Sequence, residues 1–228
     1  MDSNDFIRET TTTSVFKYMK NEIITGVFRP GQWIREREIK ELLGISSTPV
    51  REALRMLVQE GILVSIPHRG VRVKSFDEKE LRDFYEFRSE IEGLAAELAA
   101  IRRNEEQLQL IEDILKKSEQ KIQGAENVAA EAVQFNNQFH HIIAEASHNQ
   151  SIVNALSQMG TEVDLLRVMS WENEKTRPAI TLQQHRLIFN TIVRQDSKEA
   201  RRHMQKHIDD SAKAVLKLEG ITSTSAYQ

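Results

Sequence analysis

The chain has 228 residues, enough for one large domain or two modest ones with real cores. Charged residues make up 29%, hydrophobic residues 39% and aromatic residues 6%, with nine Gly and four Pro, which excludes a disordered chain and favours long helices over a many-stranded β fold. Cysteine is absent, which excludes disulfides and thiolate metal sites. Residues 1–5 are acidic and carry no apolar stretch of a signal peptide, and no run approaches the roughly 20 apolar residues of a membrane helix. The expectation is a cytoplasmic protein with no membrane contact. The net charge of −3 is unevenly spread. Residues 1–75 carry twelve Lys/Arg and nine Asp/Glu, whereas residues 76–228 carry nineteen and twenty-five. A basic head on an acidic body suits a chain whose first part meets phosphates.

In chain order, a first helix is expected at about 13–25, with Val15, Met19, Ile23 and Ile24 on one face and Gly26 as its stop. A turn at 29–31 leads to a short helix at 36–43, ended by Gly44. After a turn at 45–47, Thr48 is expected as the N-cap and Pro49 as the first position of a third helix. That helix carries Val50, Ala53, Leu54, Leu57 and Val58 inward and ends at Gly61. Two strands, 62–66 and 71–73, flank a turn at 67–70. From residue 76 the pattern is helical throughout. Six helices are expected at about 77–101, 104–123, 127–147, 150–171, 178–195 and 197–217, with Asp77 and Glu80 as a start signal for the first. The predicted fold is mainly α: a winged helix-turn-helix over 1–75, an all-helical six-helix domain for sensing and dimerisation over 76–220, and a flexible tail over 221–228.

Helix, short helix, turn, helix and hairpin is the order that presents one helix end to a DNA groove. That end carries Ser46, Ser47, Thr48 and Arg51, short donors and one guanidinium suited to phosphates and base edges. The hairpin tip carries His68, Arg69 and Gly70, a basic wing for an adjacent groove. Each residue alone reads equally well as a turn, cap or solvated residue; the order of all of them points to double-stranded operator DNA.

The motif ISSTPVREAL at 45–54, then Glu60-Gly61 and PHRG at 67–70, preceded by GVFRPG at 26–31, resembles the DNA-binding domain of the GntR family. The resemblance implies DNA contacts at Arg37, Ser46, Ser47, Thr48, Arg51, His68, Arg69 and Gly70. It departs from the family at Ser47, where an Arg is usual. The segments LRDFYEFR at 81–88, NNQFH at 136–140, HRLI at 185–188 and ARRHMQKH at 200–207 resemble the FadR-type (FCD) carboxy-terminal domain, and six helices rather than seven resemble its VanR-type group.

Helical periodicity places His140, His185 and His207 on the apolar stripes of three helices, with Asn136 one turn before His140. The stripes are Val128, Phe135, Phe139, Ile142 and Ala146; then Leu182, Phe189, Ile192 and Val193; then Ala200, Met204, Ser211 and Ala214. Such imidazoles are either hydrogen-bonded core residues or ligands of one divalent ion per subunit, Zn²⁺, Ni²⁺ or Mn²⁺. The family's first ligand is Asp, and Asn136 stands in its place. His68, His141, His148 and His203 read as wing, outward-pointing, helix-end and polar-face residues. Arg88 also falls inward, either as the anchor of a carboxylate effector or as the partner of Glu92. No carboxylate stands out as a base at the three-His site. The reading is a ligand-responsive DNA-binding homodimer, a repressor released by a small carboxylate. The alternative is a metal-dependent enzyme using the three-His site, against which stands the absence of a phosphate loop, a nucleophile elbow or an HExxH motif.

Overall fold

The computed structural model describes residues 10–24, 26–124, 129–173 and 176–217. Its contacts divide the chain into two units that meet at Ser75 and Phe76. The first holds α1 (Thr11–Ile24), β1 (Trp33–Ile34), α2 (Glu36–Leu43), α3 (Ser47–Gln59), β2 (Leu63–Ile66) and β3 (Gly70–Val73). Helix α1 packs on α3, burying Val15, Met19 and Ile23 with Val50, Ala53, Leu54 and Leu57. Gly44 ends α2 in the left-handed region at φ 66°, its N–H donating to the Lys40 carbonyl. The strands form one antiparallel sheet in the order β1-β3-β2, with Leu63 opposite Val73 and Ile66 opposite Gly70. This is a winged helix-turn-helix.

Two expectations need correction here. Helix α3 begins at Ser47 with Ser46 as its N-cap, so Thr48 and Pro49 lie inside the first turn. Pro49 is tolerated there because the first-turn amides have no helical acceptor. Trp33–Ile34 also pairs with Arg72 and Val71 as a strand the sequence did not reveal. Two residues are too few to show an alternating pattern, and only pairing with β3 makes them a strand.

The second unit contains α4 (Glu78–Arg102), α5 (Glu105–Gly124), α6 (Ala129–Ala146), α7 (Gln150–Asn173), α8 (Arg177–Val193) and α9 (Ser197–Leu216). Asp77 opens α4 with a reciprocal capping box: its carboxylate accepts from the Glu80 amide at 2.7 Å, and the Glu80 carboxylate accepts from the Asp77 amide at 2.9 Å. The most extensive packing is α4 on α9. It is close because Gly93 has no side chain; a Cβ there would lie 2.7 Å from Gln205 Cγ. Ala95, Ala96, Ala99 and Ala100 continue this small-residue face of α4. Helix α6 packs on α4, α5 and α7, and α8 packs on α4, α5 and α9.

The expected stripes are shifted in places. Val133 and Ile143 are buried on α6, while Phe135 and Ile142 are only half-buried. Val193, expected inside, is exposed because it is the last residue of α8, beyond the packed turns. Val128 and the tail 221–228 lie outside the described residues.

Candidate nucleic-acid interface and metal centre

On the first unit, Ser46, Thr48 and Arg51 are exposed at the start of α3, and Ser47 is half-exposed. The Arg51 guanidinium donates to both oxygens of Glu36, from Nε at 3.1 Å and from an Nη at 3.0 Å. The bond from Arg51 holds the Glu36 carboxyl below its usual range. Arg37 lies on α2, exposed, and donates to Glu41 one turn on at 2.8 Å. His68, Arg69 and Gly70 form the exposed tip between β2 and β3, where the Arg69 amide donates to the Ile66 carbonyl at 3.1 Å. His68 at φ 62° and Gly70 at φ 105° both occupy the left-handed side, which turns the hairpin back on itself.

On the second unit, α6, α8 and α9 bring His140, His185 and His207 together, with one ring nitrogen of each inside a span of 4.8 Å. His207 Nε2 lies 3.2 Å from His140 Nε2 and 3.4 Å from His185 Nε2. All three rings are buried, and Phe139 stacks on His185 at 3.9 Å between centroids. Asn136 is buried on α6 one turn before His140. Of the other imidazoles, His148 is exposed with φ 48°, and His203 is half-buried near Glu199.

The outer nitrogens are bound. His140 Nδ1 meets Glu92 Oε2, and His207 Nδ1 meets Gln184 Oε1 at 2.8 Å. The Gln184 amide is oriented by Asp210, which accepts from its Nε2 at 3.0 Å. Both outer partners are therefore acceptors, so the proton of each ring sits on Nδ1 and each Nε2 carries a lone pair. In that tautomer the two lone pairs face each other across 3.2 Å without a hydrogen bond, an arrangement that a shared cation would stabilise. A proton is disfavoured in that role. Burial, then the neighbouring His185 and His140, push His207 well below its ordinary value and keep it neutral. With metal–nitrogen bonds of about 2.0–2.1 Å, a tetrahedral centre separates its ligands by about 3.3 Å. The two spacings from His207 fall on either side of that value, and the three ligand atoms together lie within 4.8 Å of one another. The donor set thus fits a divalent ion, with Glu92 and Gln184 fixing the ligand tautomers from behind.

Glu92 is the carboxylate that the sequence reading did not connect to the histidines. It was foreseen only as a partner for Arg88, four residues away on α4. It does accept from Arg88 Nε at 2.6 Å, and its other oxygen faces His140. Burial alone would raise its pKa, but the charge of Arg88 and the hydrogen bond from His140 outweigh burial and hold it ionised. Arg88, Glu92 and His140 line a cavity of about 250 Å³ together with apolar residues of α7, among them Val153 and Met159. His141, read as pointing away, is exposed but also borders this cavity. Across it, Asp164 accepts from the Asn137 amide at 2.5 Å. Neither Gln184 nor Asp164 carries a sequence signal that would single it out.

Comparison with known proteins agrees with both units. Residues 11–73 match the family described as bacterial regulatory proteins, gntR family, and residues 83–210 match the FCD domain. The chain is 29% identical over 195 residues to the uncharacterized HTH-type transcriptional regulator YdhC of Bacillus subtilis (strain 168), covering 85% of this chain and 86% of that protein. It is 31% identical over 206 residues to a probable D-xylose utilization operon transcriptional repressor of Paenarthrobacter nicotinovorans, covering 90% and 89%. Among solved structures, E. coli McbR/YncC superposes with a TM-score of 0.70 at 20% identity over 90% of this chain and 97% of that one, which supports the fold. The enzyme alternative finds no support among these relatives. The chain belongs to the gntR family of bacterial regulatory proteins: it is a DNA-binding transcription regulator with an FCD-type ligand-binding domain.

Proposed function

We propose that the protein is a cytoplasmic, homodimeric repressor of the six-helix VanR-type group, released from a palindromic operator by a small carboxylate. Its domains are read as 1–75 for DNA and 76–220 for sensing and dimerisation. Ser46, Ser47, Thr48 and Arg51 at the start of α3 contact the major groove, Arg37 contacts phosphate, and His68, Arg69 and Gly70 form the wing contact. No helix among the described residues is long and apolar enough to cross a membrane.

The metal part of the reading is carried by one observation: His140 and His207 bring their Nε2 atoms within 3.2 Å of each other while their Nδ1 atoms face Glu92 and Gln184. His140, His185 and His207 hold one divalent ion per subunit, Zn²⁺, Ni²⁺ or Mn²⁺, with Asn136 as a neutral oxygen donor. Such an ion supplies a Lewis-acidic position for a ligand oxygen. The effector carboxylate enters the cavity beside it. Arg88 and Glu92 nearly cancel in charge, so the ion carries the excess positive charge that selects an anion, and Arg88 adds directional hydrogen bonds.

The test is operator affinity with and without a library of small carboxylates, on protein reconstituted with each metal. Elemental analysis of His140→Ala is expected to show loss of bound metal. Arg88→Lys keeps the charge that balances Glu92 but loses the planar fork. It is expected to bind operator as the wild type does and to lose the effector response. A normal response in Arg88→Lys refutes the anchoring role.

A further inference from the structure

In the first unit the sheet reaches past the core that it shares with α3. Side chains alternate along a strand, so Leu63 and Ser65 of β2 point to one face of the sheet, as do Val73 and Val71 of β3. The cross-strand pair Leu63 and Val73 is buried in the core. The pair Ser65 and Val71, nearer the hairpin tip, is not: Ser65 is exposed and Val71 half-buried. There α3 and the hairpin leave a cleft of about 340 Å³, with Ile34, Leu54, Val58 and Val71 as its apolar lining. Arg51 and Arg55, one turn apart, border it from α3, and Ser65 and Gly70 border it from the hairpin. The two cations differ. Arg51 is held by both oxygens of Glu36. Arg55 is exposed and makes no hydrogen bond or ion pair among the described residues.

We propose that this cleft seats one sugar-phosphate strand of the operator, with Arg55 holding a phosphate, the Ser65 hydroxyl donating to it from the hairpin side, and a deoxyribose lying on Val58 and Val71. Two observations favour this occupant. The first is chemical. An apolar wall beside an uncommitted guanidinium suits an anion carried on a weakly polar ring, and a nucleotide backbone repeats that combination along its length. The second is geometric. A major groove and the minor groove next to it share one backbone strand as their common wall. A domain that sends the start of α3 into the first and the 68–70 tip into the second must straddle that strand. The cleft lies between those two elements, and its rim includes Arg51 and Gly70, one proposed contact from each. Arg55 and Ser65 therefore add contacts that fix the position of the head on the duplex without reading its sequence.

The inference rests on the placement of α3 and the wing proposed above. Its probes are a duplex selected by the wild-type full chain from a random-sequence pool and a second duplex of scrambled sequence. Binding is followed by fluorescence anisotropy across a range of KCl. Arg55→Ala is expected to weaken both duplexes by the same factor, keep the ratio of their affinities, and lower the slope of log affinity against log salt by about 1, the loss of one phosphate contact. Arg55→Lys keeps the charge and is expected to keep the wild-type slope. Ser65→Leu fills the cleft without removing a charge. It is expected to lose binding to both duplexes while its thermal melt stays at or above that of the wild type. Wild-type affinity and slope in Arg55→Ala overturn the inference. So does weakening on the selected duplex alone, which would make Arg55 a reader of bases, or unimpaired binding by folded Ser65→Leu. A wild-type chain that binds neither duplex refutes the DNA reading itself; wild-type binding that ignores Arg55→Ala and Ser65→Leu refutes only the seat in the cleft.

Discussion

At the scale of single residues, two acidic groups govern the functional cations. Glu36 holds Arg51 by two hydrogen bonds on the surface proposed to face DNA. Such an exposed pair adds little to stability, and in the proposed complex it is exchanged for a base or phosphate. Arg51→Ala is expected to weaken operator binding by about 1–3 kcal/mol without changing the melting temperature, measured by fluorescence anisotropy beside a thermal melt. Glu36→Gln removes a negative charge beside the proposed phosphate contacts and weakens the hold on Arg51. It is expected to tighten binding to both operator and nonspecific DNA, and an unchanged affinity in both would show that the pair does not compete with DNA. Inside the second unit, Glu92 joins Arg88 to His140. Glu92→Gln leaves a buried guanidinium without its counter-charge, a change expected to cost about 3–5 kcal/mol in chemical denaturation.

At the scale of elements, the start of α4 and its close approach to α9 carry separate weights. The Asp77 and Glu80 capping box satisfies backbone donors at the helix start, and Asp77→Ala is expected to lose about 0.5–2 kcal/mol. Hydrogen exchange should localise that loss to the first turn. Gly93 faces Gln205 and Arg201 so closely that a branched side chain must push α9 away. Gly93→Val is expected to destabilise by about 1–3 kcal/mol, read from the denaturation midpoint. The capping signal was legible because it needs only two residues at fixed spacing. The closeness of Gly93 to α9 was not, because Gln205 and Arg201 lie more than a hundred residues away. The start of α3 was misplaced for a related reason. Ser46, Ser47 and Thr48 are all competent caps, and the turn that follows Gly44 decides among them.

At the scale of the whole molecule, a metal held only by the folded second unit stabilises it by mass action. Chelation with EDTA is expected to lower the melting temperature, and readdition of Zn²⁺, Ni²⁺ or Mn²⁺ is expected to restore it. At a free ion concentration a hundred times the dissociation constant the gain is about 2.7 kcal/mol. Identical melting before and after chelation, with no metal bound on readdition, would leave the three imidazoles as core residues. An effector alters DNA binding only if it favours one arrangement of the proposed dimer over another.

Local signals in the sequence determined the element order, the six helices after residue 76, the capping box and the inward direction of His140, His185, His207 and Arg88. These rest on helical periodicity, breakers and caps, which act over a few residues. The motifs at 45–54 and 67–70 determined the family resemblance. Only the tertiary structure decided which atoms meet. Glu92 turns one oxygen to Arg88 and the other to His140 because α4 packs on α6. Gln184 accepts the hydrogen bond from His207 because α8 packs on α9 and Asp210 fixes its amide. Trp33–Ile34 becomes a strand because β3 lies beside it. Each of these depends on partners far apart in the chain, and their distance and orientation are set by packing, which no local pattern encodes.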